Sequence, residues 1–301
     1  MYILPFIGNI AVEDLDTEDL KKLVDFTWPA ITKADGSPKL SPSARHNIYK
    51  VLQMTLTEAK RTRRINIKES PLEGVRAPQR HQEKRSVGDK IGKTLGLIKW
   101  MTVNNHPDYT RFVFQWLGLR RSERLGLQWS SIKNLNSSNP KLVVTKQLSR
   151  YADGSGFYLK RPKTPASIRE TALTEPFLSA PWNWKKQQDE WKTSPNWRPQ
   201  EQFADLIFLT KTGGLIIQSQ DNEDWRKLLA ECMGEDGVTW RGHINRHICA
   251  TLLAQNGVKE AEAKKILGHS STVMTSYYTA ITTESLRGSL ENYGRVLTQR
   301  V

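Results

Sequence analysis

Cysteine is scarce in this chain of 301 residues, where only Cys232 and Cys249 occur. Two thiols build no disulfide framework, and Cys249, set in an apolar helical stretch, is expected to pack. Long apolar runs are missing as well. No stretch approaches the length of a membrane span, and the N-terminus has neither the charged start nor the small-residue cleavage site of a secretory signal, so residence in the cytoplasm is expected. Negative charge is the third shortage: 31 Asp+Glu face 45 Lys+Arg, a net charge of +14. Such a surplus favours polyanions, whose counterions are released on contact. It is uneven, since Ser41 to Trp100 holds 14 basic and 5 acidic residues and so carries +9 of it. A basic run is often only a solvated face, and the rest of the chain has to decide between that reading and a phosphate-contacting surface.

The length and a hydrophobic content of 38% are enough for two globular cores. Thr17 can cap a first helix running to about Trp28, and Asp35-Gly36-Ser37-Pro38 makes a turn. Ser41 and Pro42 then suit the cap and first position of a long helix. Its residues Ala44, Ile48, Val51, Leu52, Leu56 and Ala59 keep helical spacing up to a basic end at Lys60 to Arg64, so one face packs and the other is free. Arg76 to Lys90, polar and charged with Pro78 and Gly88, reads as a linker, placed at 81–90 between domains at 1–80 and 91–301. Helices resume at Ile91. Leu142 to Leu173 holds the clearest strand material and turns at Asp153-Gly154-Ser155-Gly156. His243 to Gly257 reads as a helix, and a second short one leads from Lys259 to Gly268. The expected class is mainly α with a small antiparallel β-sheet or hairpin (α+β). Trp182, Trp184, Trp191 and Trp197 crowd together, for which a packed or partner-facing insert is the simplest reading.

Against that layout one set of residues points to chemistry: Arg120, Lys163, His243 with Arg246, His269 and Tyr278. Its densest part is His243-x-x-Arg246, then Leu267-Gly268-His269-Ser270-Ser271, then Tyr278 nine positions after that histidine. A phosphodiester is a poor electrophile, so cleaving it without a metal takes donors that stabilise charge growing on its oxygens. Arginine stays charged and binds phosphate in a bidentate fork, which makes Arg120 and Arg246 a natural clamp. A phenol is a sluggish nucleophile at its free pKa, but the tyrosyl ester it forms keeps the energy of the broken bond for rejoining. The leaving 5′ oxygen needs a proton, which a hairpin lysine can deliver as general acid. Plainer readings exist for each residue. His243 and His247, four apart, can suggest zinc, but His-Ile-Asn-Arg-His lacks the glutamate of a zincin, and neither metal nor cofactor is expected. Arg120 alone reads as a surface arginine before a helix capped by Ser122, and Tyr278 alone as a packed aromatic. The joint order and spacing favour the chemical reading.

On these residues the chain resembles the tyrosine recombinases of the phage integrase family along nearly its whole length. LGLRRSERLGLQWSSI at 117–132 is similar to the family's first arginine motif, which implies Arg120 as catalytic and Glu123 as the acidic residue supporting it. Arg161-Pro162-Lys163-Thr164, followed by Ser167-Ile168-Arg169-Glu170, resembles the hairpin of the catalytic lysine and implies Lys163, with Lys160 as its competitor. His243, Arg246 and His269 fall on the remaining phosphate-binding positions and Tyr278 on the nucleophile, with Tyr277 beside it as the rival. The family usually has leucine before the second arginine, where this chain has Asn245. The resemblance further implies a helical core-binding domain, with Arg45, Lys60, Arg61, Arg63 and Arg64 at the DNA, ahead of a catalytic domain whose Ser285 to Leu297 packs on a neighbouring protomer. Partners so implied are double-stranded DNA at core-type attachment sites, a homotetramer assembled on it, a host DNA-bending protein and an excision factor, in a bacterial nucleoid. Many members carry a further arm-binding domain ahead of the core-binding one. These 301 residues fit either a short integrase acting on short sites or part of a longer one. A type IB topoisomerase shares the phosphotyrosine chemistry, but the core-binding pattern speaks against it. The complete residue set speaks against a silent DNA-binding regulator.

Overall fold

The computed structural model describes residues 2–62, 69–79, 88–234, 240, 242, 244–268 and 283–298. The chain is mainly helical, with two small antiparallel sheets among the described residues, the α+β class implied by its sequence, and divides into two compact units, Met1–Arg85 and Ser86–Val301. No described helix is long and apolar enough to cross a membrane.

The first unit opens with α1 (Leu4–Ile7) and α2 (Thr17–Lys21), which runs on through a π-helical turn, Lys22–Thr27, into α3 (Trp28–Ala30). Asp16, not Thr17, is the cap: its carboxylate accepts from the Asp19 N–H at 2.8 Å, while the Asp19 carboxylate takes the Asp16 N–H. A carboxylate at this position also meets the positive end of the helix dipole, which a threonine hydroxyl cannot do. The following helix, α4 (Pro42–Arg61), begins as its sequence dictates, with the Ser41 hydroxyl accepting from Ala44 N–H and Pro42 in the first turn. Tyr49, Leu52 and Leu56 sink into a core with Leu20, Leu23, Val24 and Trp28. Val51, read as part of that face, is instead 56% exposed, because it sits a helical step of about 100° from Leu52 and clears the packed stripe. Leu72 and Val75 complete the core, the Tyr49 hydroxyl donates to the Val75 carbonyl at 2.9 Å, and His46 Nδ1 lies 2.8 Å from the Pro78 carbonyl. Of the basic residues assigned to DNA, Lys60 and Arg61 are exposed on the last turn of α4 and Arg45 is half-buried, while Arg63 and Arg64 lie outside the described residues.

The second unit starts with α5 (Gly88–Val103), so the last three positions of the expected linker are already helical. The chain then enters α6 (Tyr109–Val113) and a 3-10 turn, Phe114–Leu117, every residue of which from Thr110 onward is buried. A short helix, α7 (Arg121–Leu125), precedes β1 (Ile132–Lys133) and β2 (Lys141–Val144), and a hairpin of β3 (Gln147–Arg150) and β4 (Phe157–Lys160) follows, turning through 153–156. The chain then returns through β5 (Arg169–Ala172) to form the sheet β1-β2-β5, with Val144 opposite Arg169. Helices α8 (Ala180–Lys192), α9 (Gln218–Met233), α10 (Ile244–Gln255), α11 (Glu260–Leu267) and α12 (Thr283–Thr298) complete the unit. The tryptophan cluster is packing. Trp184 is buried, donates to the Ile207 carbonyl and meets Trp191 edge-on at 5.5 Å, while Trp182 stays 43% exposed. Residues 285–297, which the resemblance assigns to a neighbouring protomer, here belong to a helix that fills its own unit's core with Leu286, Leu290, Tyr293 and Leu297. The Tyr293 hydroxyl donates to the Trp116 carbonyl at 2.7 Å.

Candidate active site

Four segments far apart in sequence converge: the turn before α7, the loop before β5, α10, and the end of α11. The turn depends on Gly118, whose φ of +75° suits glycine and where an added Cβ would approach Leu267 Cδ2 to 2.6 Å. It delivers Arg120 as the N-cap of α7, so the helix begins before Ser122, and the expected Ser122 cap gives way to a carboxylate from inside the helix. Glu123 reaches back to accept the Arg120 N–H at 2.9 Å on Oε2 and Arg120 Nη1 at 2.6 Å on Oε1. Arg120 Nη1 also donates to the Ser167 hydroxyl at 2.9 Å, and its Nη2 to the Gly268 carbonyl at 3.1 Å. The side chain of Arg120 is still 36% exposed and that of Glu123 not at all.

Arg246, on α10, donates to the Gly118 carbonyl through Nη1 and to the Leu267 carbonyl through Nη2 at 2.5 Å. Arg169, on β5, donates through Nε to the Ile266 carbonyl at 2.8 Å and through Nη2 to Glu123 Oε2 at 3.1 Å. The carbonyls of 266, 267 and 268 therefore take Arg169, Arg246 and Arg120 in turn. These are the acceptors a helix leaves orphaned at its C-terminus, where the dipole is negative, and three cations satisfy them. Gly268 ends α11 at a φ of +65°, where a Cβ would lie 2.8 Å from Arg169 Nη1.

Among the described residues the charges do not balance within this cluster, with three guanidinium groups against one carboxylate. Burial pushes the Glu123 pKa up, but Arg169 foremost and the hydrogen bonds from Arg120 outweigh it and hold the carboxyl below its ordinary value. Burial, reinforced by the like charges of Arg120 and Arg169, brings Arg246 down to about 10, which leaves it charged at neutral pH. A cleft of about 330 Å³ opens beside Arg246, with Gln115, Arg121, Ser122 and Arg124 in its wall. Behind it Arg124 is buried against Asp221 at 2.7 Å, and Arg111 against Asp108 and Asp224 at 2.8 and 2.9 Å, which ties α6 and α7 to α9. Such a surface, cationic and rich in N–H donors, is suited to a phosphate.

Of the residues singled out in the sequence, Arg120, Glu123 and Arg246 are thus gathered in one place. Lys163 is exposed on the loop after β4, and the Thr164 and Ser167 hydroxyls, 2.9 Å apart, link that loop to Arg120. His243, His269, Tyr277 and Tyr278 lie outside the described residues. Sequence reasoning gave no role to Arg169 or Ser167, although both stand in the quoted lysine motif, nor to Gln115, which accepts from the buried Asn245 side chain at 2.7 Å. Cys249 packs as expected, its thiol pushed up to about 12 by burial.

Comparison with known proteins gives this arrangement its relatives. The profile of the phage integrase family matches residues 103–285, more than half of the chain. The chain belongs to the phage integrase family. As a member it is a tyrosine recombinase, an enzyme of DNA recombination. Among solved structures this family member is similar to a part of the Tn1549 transposon integrase in complex with transposon right end DNA, with 22% identity, a TM-score of 0.67, and coverage of 94% of this chain and 87% of that one. It is also similar to the XerH site-specific recombinase bound to a palindromic difH substrate in a post-cleavage complex, with 16% identity, a TM-score of 0.57, and coverage of 98% and 73%. At these identities the likeness concerns the fold. No curated protein matches the chain.

Proposed function

We propose that this recombinase cuts duplex DNA at core-type attachment sites and reseals exchanged strands through a 3′-phosphotyrosine bond to Tyr278. The phenol oxygen attacks the scissile phosphorus, the bond to the 5′ oxygen breaks, and that oxygen leaves with a proton from Lys163. Attack by the 5′ hydroxyl of the partner strand reverses the step and frees the phenol, so no external energy is consumed. Arg120 and Arg246 hold the non-bridging oxygens with His243 and His269 as further donors, and Glu123 fixes Arg120. The observation that carries this reading is the convergence of Arg120 and Arg246 on the end of α11, immediately before His269 in the chain.

Residues 1–80 serve as the core-binding domain, joined through 81–90 to the catalytic domain at 91–301, and Arg45, Lys60, Arg61, Arg63 and Arg64 contact DNA phosphates. The DNA in the complexes of the Tn1549 integrase and XerH supports that partner. Four copies assemble on paired sites, with a host DNA-bending protein and an excision factor choosing direction, in the bacterial nucleoid. The decisive experiment traps the covalent adduct on a nicked attachment duplex. Tyr278→Phe is expected to abolish the adduct and leave binding nearly intact, and the wild type to keep its activity in excess chelator. An adduct that survives Tyr278→Phe and disappears in Tyr277→Phe moves the nucleophile by one position. Relaxation of plasmid without strand exchange supports the topoisomerase alternative instead.

A further inference from the structure

We infer that Arg169 is a positioning residue for strand cleavage, aiming Arg120 at the scissile phosphate by holding Glu123 directly and bracing, through the backbone carbonyls of Ser167 and Ile266, the two segments that supply the other groups bound to Arg120. This rests on the reading of Arg120 as a phosphate clamp. Among the described residues three groups fix the Arg120 guanidinium: the Glu123 carboxylate, the Ser167 hydroxyl and the Gly268 carbonyl. Arg169 donates to Glu123 Oε2 at 3.1 Å, to the backbone carbonyl of Ser167 at 3.1 Å, and to the carbonyl of Ile266, two residues before Gly268, at 2.8 Å. Each nitrogen of its guanidinium thus serves a different segment, and Arg169 itself is only 6% exposed, behind the surface that Arg120 presents. The strand beneath is rigid, since β5 pairs with β2 along its whole length.

Residue type follows from this geometry. Only a planar fork reaches three acceptors in three directions; a lysine offers one nitrogen at the end of a flexible stem. Removing one partner of a buried pair costs stability, because the remaining charge loses compensation. Aim is therefore told apart from stability by comparing substrates that differ only in the charge on the phosphate. If Arg169 works through Arg120, its loss matters in proportion to the charge that Arg120 has to meet on the phosphate.

The test uses the full chain and a nicked duplex carrying a site that the wild-type protein selects from a randomised DNA pool. It is made once with an ordinary linkage and once with a methylphosphonate, which lacks the non-bridging negative charge, at the cleaved position. Arg169→Met is expected to slow adduct formation on the phosphodiester by about a hundredfold, the scale of losing one oriented donor, with DNA affinity nearly unchanged. On the methylphosphonate the deficit is expected to shrink by about tenfold or more. Arg169→Lys, which keeps the charge without the fork, is expected to behave in the same way. Leu252→Ala, a core truncation in α10, serves as the structural control and is expected to lower the melting temperature while keeping the wild-type ratio of the two rates. Equal slowing of the Arg169 variants on both substrates overturns the inference, as does wild-type speed, or failure of both variants to fold. A wild-type chain that forms no adduct on any selected site refutes the recombinase chemistry itself, a different outcome from variants that cleave normally.

Discussion

A carboxylate without exposed surface is costly to keep ionised, and Glu123 stays charged because Arg169 and Arg120 both donate to it. Its folded-state pKa lies below the 4.5 of the free side chain. The charge therefore contributes stability that is fully present above the unfolded value and is lost as pH falls through the lower folded one. Glu123→Gln removes that contribution and leaves two arginines facing an amide, a loss of about 3–5 kcal/mol on the scale of broken buried pairs. In urea titrations the gap between wild type and variant is expected to be constant from neutral pH to about 5 and to narrow at more acid pH. A gap that widens with acid contradicts the assignment. The spacing of Arg120 and Glu123 is local, and the two residues named together in the sequence are joined by two hydrogen bonds. Arg169 follows 46 positions later in sequence, and nothing in its neighbourhood tells a buried arginine from a surface one, because burial is decided by α11 closing over β5.

Elements with local punctuation were legible in the same way. Ser41 with Pro42 starts α4, Gly257 and Gly268 close α10 and α11, and Asp153 to Gly156 turn the hairpin. Where several residues compete for one cap, as Asp16 with Thr17 or Glu123 with Ser122, short-range rules left the choice to hydrogen bonds made in three dimensions. Asn245 shows the limit between elements. It stands where leucine is usual before the second arginine, and its side-chain amide donates to Gln115 Oε1 at 2.7 Å, coupling α10 to the 3-10 turn that leads to Arg120. The partner is 130 positions away, so only the oddity of Asn245 was visible in the sequence. Asn245→Leu is expected to cost about 1–3 kcal/mol because it strands a buried acceptor, and Gln115→Met a similar amount for the opposite reason. The double substitution replaces both polar groups by apolar ones and is expected to recover about 1–2 kcal/mol relative to the sum. Strictly additive losses in urea midpoints mean that the pair is not coupled.

At the scale of the whole molecule the quantity that matters is where the +14 sits. Ser41 to Trp100 carries +9 of it, and for a polyanionic partner each phosphate neutralised releases condensed counterions, so the distribution of charge is measurable as a salt slope. Composition alone gives every lysine and arginine the same weight, whereas the structure ranks them. Arg45 is half-buried; Lys60 is exposed; Arg61 is exposed but forked onto Glu58, its Nε and Nη2 at 2.9 and 2.6 Å from the carboxylate. An exposed pair of this kind is worth little to stability, yet it places a negative charge beside one of the cations assigned to the DNA backbone. Lys60→Ala is accordingly expected to reduce the slope of log K against log salt by about 0.9, the value for one phosphate contact on duplex DNA. Glu58→Gln is expected to raise affinity at low salt, because it frees Arg61 and removes a repulsive charge, and the gain should fade as screening increases. Both follow from binding isotherms on one duplex across a salt series. Should Lys60→Ala leave the slope untouched and Glu58→Gln leave affinity unchanged at every salt concentration, the end of α4 is a solvated face and the DNA lies elsewhere.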